Sequence, residues 1–247
     1  MLSKSLPPNC IHFWEINWPS QERFNQNNYP IPAQLAEYFA VLTPEEQARA
    51  QRFVFAKHSR RFIFAHFALH QILSRYLNLP PQTIQFTKNA HGKPELLAHQ
   101  NPHHLEFNLS HSQDSAVIGL RTQKPIGVDI EYHSEREWLS LAKHSFSEQE
   151  YEALKSLPLS QHQESFFHIW AQKEAFIKAI GLGLSYPLKT FSVSALPPAS
   201  LIETESEEKN QWFLHSYQPH PQAHIAIATL KPVIHIEYFS EQFDDVY

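Results

Sequence analysis

Glu174 lies within Trp170-Ala-Gln-Lys-Glu-Ala-Phe-Ile-Lys-Ala-Ile-Gly-Leu-Gly-Leu184, where an amphipathic helix would carry an apolar side chain. At about 100° per residue, Phe166, Phe167, Trp170 and Ile177 project within roughly 60° of one direction, and Glu174 falls inside that arc. A carboxylate held against aromatic rings loses hydration, and a cation or hydrogen bonds must offset the loss. Lys178, one turn on, could supply the cation, and so could a metal ion. Upstream, Ile126-Gly-Val-Asp-Ile-Glu131 reads as a strand with Val128 and Ile130 on one face and Asp129 and Glu131 on the other. Two like charges on one strand face repel unless water or a divalent cation separates them. One or two carboxylates plus substrate phosphates are what Mg²⁺ favours. Taken singly, each segment also has a plainer reading: a solvated acidic strand, and an i,i+4 ion pair between Glu174 and Lys178.

Phe107-Asn-Leu-Ser-His-Ser112 precedes the apolar run Ala116-Val-Ile-Gly-Leu120. At a strand end, Ser110, His111 and Ser112 would offer hydroxyls and an imidazole, small donors suited to phosphate oxygens; the alternative is a polar turn. The chain has 5 glycines in 247 residues, and four of them (Gly119, Gly127, Gly181 and Gly183) flank these segments. Glycine that scarce is expected where the backbone needs positive φ or close approach, and Gly181 also suits a helix C-cap. Gly92 opens Gly-Lys-Pro94, a turn expected to present Lys93 outward.

The elements that must carry these residues fall into two similar series. Ile11–Ile16 reads as a strand and is followed by a Pro- and Asn-rich loop to about Pro32. Thr43-Pro-Glu-Glu46 combines Pro at N1 with a capping box, so a helix starts there. A second helix is expected over Ser59–Tyr76, then strands at Ile84–Thr87, His104–Asn108 and Ala116–Leu120. After Arg121-Thr-Gln-Lys-Pro125 the order repeats: strand Ile126–Glu131, capping box Ser147-Glu-Gln-Glu150 and a long helix Ser165–Ile180. Strands at Phe191–Val193, Gln211–Tyr217 and His224–Leu230 complete the set, with a charged connection at 203–209.

His91-Gly-Lys-Pro94, Phe107–Ser112, Ile126–Glu131 and Trp170–Leu184 resemble, in order and spacing, the signature motifs of surfactin-type 4′-phosphopantetheinyl transferases. The resemblance implies an α+β pseudodimer of two similar halves, 1–122 and 123–247, with the active site at their interface. It implies Mg²⁺-dependent transfer of 4′-phosphopantetheine from coenzyme A to a serine of an apo acyl or peptidyl carrier protein, releasing adenosine 3′,5′-bisphosphate. Carried over residue by residue, Asp129, Glu131 and Glu174 look like metal ligands, and Lys178 like the pyrophosphate contact. Lys93, Ser110 and His111 look like coenzyme A contacts, and Glu150 matches a further acidic position near the site. Glu174 and Glu150 are the side-chain candidates to accept the serine proton, beside a metal-bound water.

One departure is visible. Glu46 stands near a position where family members with the best-known pattern carry a lysine, so its capping-box role and the basic residues around it gain weight. Arg49, Arg52, Lys57, Arg60 and Arg61 could supply the lost charge, with a solvated helix face as the plainer reading of Arg49, Lys57 and Arg60 taken singly; Arg61 and Arg49 are the expected coenzyme A contacts among them. Glu150, at N3 after Ser147, likewise has a complete capping explanation.

Composition bounds the remainder. A hydrophobic content of 42% suffices for a core in one large or two small domains. No run approaches 18 apolar residues and the first residues lack a signal-like apolar stretch, so no membrane contact is expected. The single Cys10 rules out an internal disulfide or a thiolate zinc site and fits a reducing, cytoplasmic setting. His66 and His70 have i,i+4 spacing but no His-Glu-x-x-His motif, which favours a structural role in a Phe-rich helix. A net charge of −5 argues against a nucleic-acid binder, and a monomer is expected. Two other classes fit parts of the pattern: a Mg²⁺-dependent nucleotide pyrophosphate hydrolase, and a carrier-binding module without catalysis. A binding module has no need of three convergent carboxylates.

Overall fold

In the computed structural model, which describes residues 4–18, 35–135, 138–204 and 210–242, β1 (Cys10–Asn17) is followed by α1 (Ala36–Val41), α2 (Pro44–Gln51) and α3 (Ala56–Leu77). Next come β2 (Phe86–Lys88), β3 (Pro94–Leu96), β4 (Leu105–Ser112), β5 (Ser115–Thr122) and β6 (Ile126–Tyr132). The second series runs α4 (Trp138–Ser145), α5 (Glu148–Ser156), α6 (Leu159–Ile180), β7 (Phe191–Val193), β8 (Leu201–Thr204), β9 (Trp212–His220), β10 (Ala223–Leu230) and β11 (His235–Gln242). Both capping boxes form as expected, Thr43 with Glu46 at the head of α2 and Ser147 with Glu150 at the head of α5. The long helices stop where the backbone turns left-handed, α3 at Asn78 (φ 55°) and α6 at Gly181 (φ 73°).

Two main sheets result, ordered β11-β1-β5-β4 and β6-β10-β9. Helix α3 covers the first, with Phe62, Ile63, Ile72 and Leu73 packed among Trp14, Ile118 and Leu120. Helix α6 covers the second through Phe167, Ala171, Ala175 and Ala179 against Leu214, Ala226 and Ala228. The opposite faces meet in a third core, where Ile11, Phe13 and Val117 pack on Ile126, Val128, Ile130, Ile225 and Ile227. The arrangement is an α+β pair of sheet-and-helix halves, and the capping boxes underline their likeness. Glu46 is bound by His66 and His70 of α3, as Glu150 is bound by Lys173 of α6.

Glycines set how closely the halves approach. A Cβ on Gly119 would lie 2.6 Å from Val128 Cγ1, so the bare β5 backbone makes room for β6. A Cβ on Gly127 would clash with Ala175 O and Ala179 N, so α6 rests directly on the β6 backbone. Along the other edge of β6, side chains of β4 replace a backbone ladder. Asn108 Oδ1 accepts from Val128 N at 2.8 Å, and Ser112 Oγ accepts from Tyr132 N at 3.3 Å.

The Ser110-His111-Ser112 run forms the end of β4, as expected, and not the alternative polar turn; the strand runs on past the expected Asn108 because β5 pairs with β4 as far as Ser112↔Ser115. The expected 122/123 boundary falls between β5 and β6, and β11 of the second series pairs in parallel with β1 over Cys10↔His235 to Asn17↔Gln242, so it joins the first half's sheet. Sequence reading did not find α1, α4, β3, β8 or β11, all short or half-exposed. The Pro- and Asn-rich loop and most of the charged connection lie outside the described residues.

Candidate active site

Strand β6 and helix α6 bring the expected acidic residues and lysine together at the seam. Asp129 is 2% exposed. Its Oδ1 accepts from Lys178 Nζ at 2.6 Å and from Ser110 Oγ at 2.9 Å. Lys178 Nζ also donates to Ser110 Oγ at 2.9 Å, so lysine, serine and aspartate form a closed triangle across α6, β4 and β6. Asp129 Oδ2 is buried and has no hydrogen-bond partner among the described residues. Next to it, Glu131 Oε1 accepts from Trp170 Nε1 at 3.2 Å.

The cluster holds more negative charge than its one lysine offsets. Burial, then Asp129 and Glu174, push the Glu131 carboxyl up to about 8 against the opposing pull of Lys178 and Trp170. Burial and Asp129 also raise Glu174, opposed by Lys178. Glu174 is half-buried and makes no hydrogen bond among the described residues. A desolvated carboxylate group with an unpaired buried oxygen fits a hard divalent cation such as Mg²⁺. Among the described residues no three acidic, histidine or cysteine side chains are already gathered tightly enough to enclose an ion; the Lys178 ammonium takes one side of Asp129.

Cations gather on the first-half side. His111 stands at the exposed lip of the seam, yet enough protein surrounds it that lost hydration lowers its pKa to about 4. The nearby charges of His66, Lys178, Arg49 and Arg61 add to the effect. Arg61 Nε pairs with Asp114 at 3.1 Å, and the Arg49 guanidinium lies over the Phe62 ring at 5.1 Å. A cavity of about 270 Å³ opens beside them, lined by Thr43, Glu46, Arg49, Phe62, His66, Phe86 and Lys88 among others. A second cavity, of about 430 Å³, is lined by Ser165, His168, Ser216 and His224 and includes none of the seam residues.

Two expected site residues are placed differently. Lys93 is not turned outward: its Nζ donates to Ile126 O at 3.1 Å and Ala179 O at 3.4 Å. Burial lowers its pKa against the pull of Glu106 and Glu95, and the ammonium pins the start of β6 to the end of α6. Asn89 does similar work, donating to Gly181 O at 2.9 Å. Glu150 is 1% exposed, and its oxygens are consumed by Lys173 Nζ (2.7 Å to each), Val193 N and Ser147 N. None of its hydrogen-bond partners is a seam residue. Sequence reading missed the bridging parts of Asn108 and Ser112 and the indole donor of Trp170. Polar residues at 108, 110 and 112, every second place on one strand, were the available signal.

Comparison with known proteins points one way. The family model described as 4′-phosphopantetheinyl transferase superfamily matches residues 125–229, and one described as 4′-phosphopantetheinyl transferase, N-terminal, matches residues 27–123. The 4′-phosphopantetheinyl transferase HetI of Nostoc sp. is 38% identical over 204 residues, 79% of this chain and 81% of that protein. The 4′-phosphopantetheinyl transferase psf-1 of Bacillus pumilus is 33% identical over 78% of this chain and 82% of its own. The 4′-phosphopantetheinyl transferase Sfp of Bacillus subtilis is 28% identical, with coverages of 79% and 85%.

Proposed function

Because the chain belongs to the 4′-phosphopantetheinyl transferase superfamily, it is an enzyme that moves 4′-phosphopantetheine from coenzyme A to a carrier protein, and we propose that it does so at the Asp129–Lys178 seam with the help of Mg²⁺. The observation that carries this assignment is the crowding of Asp129, Glu131 and Glu174 around one lysine, with Asp129 Oδ2 buried and unpaired among the described residues. Asp129, Glu131 and Glu174 would hold the metal. Bound there, Mg²⁺ supplies positive charge to the pyrophosphate of coenzyme A and to the leaving adenosine 3′,5′-bisphosphate.

The chain's own residues do the rest. Lys178 is fixed by Ser110 and Asp129, so its ammonium is preorganised for a pyrophosphate oxygen and needs little rearrangement during transfer. Ser110, occupied on both sides, positions Lys178 and Asp129. Lys93 holds β6 against α6 and so acts on the site through the backbone. Arg49, Arg61 and His111 are the residues proposed to meet the remaining charge of coenzyme A. With Glu150 consumed by Lys173 and backbone donors, Glu174 is the side chain left to accept the proton of the carrier serine.

The test is incubation with coenzyme A, Mg²⁺ and a panel of apo-carrier proteins of fatty-acid, polyketide and peptide type, read by intact mass. At least one carrier should gain phosphopantetheine, and chelation with EDTA should stop the reaction. Release of adenosine 3′,5′-bisphosphate with no carrier present would instead identify a hydrolase. Transfer that survives metal removal would refute the metal assignment.

A further inference from the structure

Glu46 is a buried carboxylate in the wall of the 270 Å³ cavity, and it is held from four directions. Its Oε2 accepts from Thr43 N and Thr43 Oγ1, both at 2.8 Å, and from His70 Nε2 at 2.9 Å. Its Oε1 bonds His66 Nδ1 at 2.6 Å. The two histidines differ in what remains. His70 is fully buried and its other nitrogen bonds Pro81 O at 2.8 Å, so both its nitrogens are used. His66 lines the cavity, stacks on Phe62 at 3.9 Å, and its Nε2 has no hydrogen-bond partner among the described residues.

The groups that face His66 are few. From α2 come Glu46 and Arg49, from α3 His70, and from β4 His111, which senses the charge of His66, Arg49, Arg61 and Lys178 together. Lys88 and Glu45 at the cavity mouth pair with each other and cancel. Glu46 is kept ionised by its two histidines, while burial, helped by Arg49 and His70 and opposed by Glu46, lowers the pKa of His66 in the empty cavity. The cavity therefore offers one permanent cation, Arg49, and one imidazole whose charge depends on what enters. Lys178 and the carboxylate cluster account for the pyrophosphate. The phosphate left for the cavity is the one on the ribose, which carries close to two negative charges.

We propose, resting on the transferase reading above, that Glu46 and His66 form a proton-linked clamp for the 3′-phosphate of coenzyme A: as the phosphate enters beside Arg49, His66 Nε2 takes a proton from solvent and donates it in a hydrogen bond to the phosphate, while Nδ1–H stays on Glu46. No covalent bond changes, and one proton is gained from solvent by the complex. Glu46 is a positioning residue here, fixing the ring and its tautomer so that only Nε2 is open to the ligand. Affinity for coenzyme A then rises as pH falls through the range in which free His66 is neutral and bound His66 is charged, by up to about tenfold per pH unit.

The experiment uses the full chain with Mg²⁺ and titrates coenzyme A or dephospho-coenzyme A calorimetrically at pH 7.5, in two buffers of different ionisation enthalpy. Coenzyme A should bind with net proton uptake and dephospho-coenzyme A with markedly less. In His66→Gln the extra uptake should vanish, the KM for coenzyme A should rise more than kcat falls, and KM should lose its pH dependence between pH 6 and 8. Glu46→Gln should reduce the uptake in the same sense. A merely structural stitch between α2 and α3 would raise KM for both nucleotides at every pH and leave proton uptake unchanged. Equal uptake with the two nucleotides in the wild type overturns the clamp even if His66→Gln fails to fold. Wild type that transfers phosphopantetheine without this difference overturns the clamp alone, and wild type that transfers nothing overturns the transferase reading with it.

Discussion

Asp129 divides its two oxygens between different tasks. Oδ1 orients Lys178 and Ser110, and Oδ2 is buried with no partner among the described residues. Asp129→Asn keeps the shape and the bonds at Oδ1 but removes the charge that would bind a metal. Transfer rate should fall about 100-fold or more, with a thermal midpoint near that of the wild type, since a crowded acidic cluster loses repulsion along with attraction. A variant with normal kcat/KM at limiting Mg²⁺ would exclude Asp129 as a ligand. Glu150 makes the opposite case. Glu150→Gln should lower stability by about 3–5 kcal/mol, because Lys173 would remain buried without its counter-charge. Measured per folded molecule, transfer should persist, and a large fall in kcat with unchanged stability would restore Glu150 to the chemistry. That Asp129 and Glu131 share one face of β6, and that Glu174 and Lys178 lie one turn apart on α6, was legible in the sequence because strand and helix periodicity fix which side chains point the same way. The placement of Lys93 was not, because a turn sequence reveals its conformation but not which carbonyls lie within reach of a long side chain.

At the level of elements, the close contact of α6 with β6 decides whether the site exists. Gly127→Ala would drive a methyl group into Ala175 O and Ala179 N, both backbone atoms that cannot rotate away. The expected cost is about 1–3 kcal/mol from overpacking, read from urea unfolding. Activity should fall further than stability, since any shift of α6 moves Glu174 and Lys178 relative to Asp129 and Glu131. Full activity with lowered stability would mean that the helix position is not critical. The starts of α2 and α5 were readable to the residue because a capping box is a local, four-residue chemistry. The length of β4 was not, because Asn108, Ser110 and Ser112 are polar in composition yet committed to β6, a partner that local sequence does not reveal. Strand β11 escaped notice because it is an edge strand with little apolar alternation, half open to solvent along its length.

The molecule as a whole stores a sensitivity to acid in its histidines. His168 and His224 are each 3% exposed. Burial lowers their pKa to about 4 and about 3, with His224 lowered further by His133 and His168. In the unfolded chain they would titrate near 6.5, so between that pH and their native values the unfolded state binds more protons and stability falls as pH falls. The slope should approach roughly 1.4 kcal/mol per pH unit for each histidine. Glu46, depressed well below the usual carboxylate range by His66 and His70, adds a further loss below about pH 4.3, where its unfolded counterpart protonates. Urea midpoints measured from pH 7.5 to 5 should drop steeply, and His168→Gln should flatten that slope whatever it does to stability at pH 7.5. An unchanged slope would place the acid sensitivity elsewhere. The two-half plan was legible from the repeated order of elements. The cross-over of the last strand was not, because pairing partners distant in sequence leave no local trace.

That cross-over also bears on how the chain is made. A ribosome delivers β1 long before β11, so the β1 edge that β11 will occupy stays uncovered while the intervening chain is synthesised. Open edges recruit other strands, and domains that fold as they emerge do so in N-terminal order. The first half of this protein therefore cannot close its sheet as an independent nascent domain. It must be shielded, or wait, until residues 235–242 clear the exit tunnel, so slow translation just before residue 235 should lower yield more than the same pause placed between the two halves.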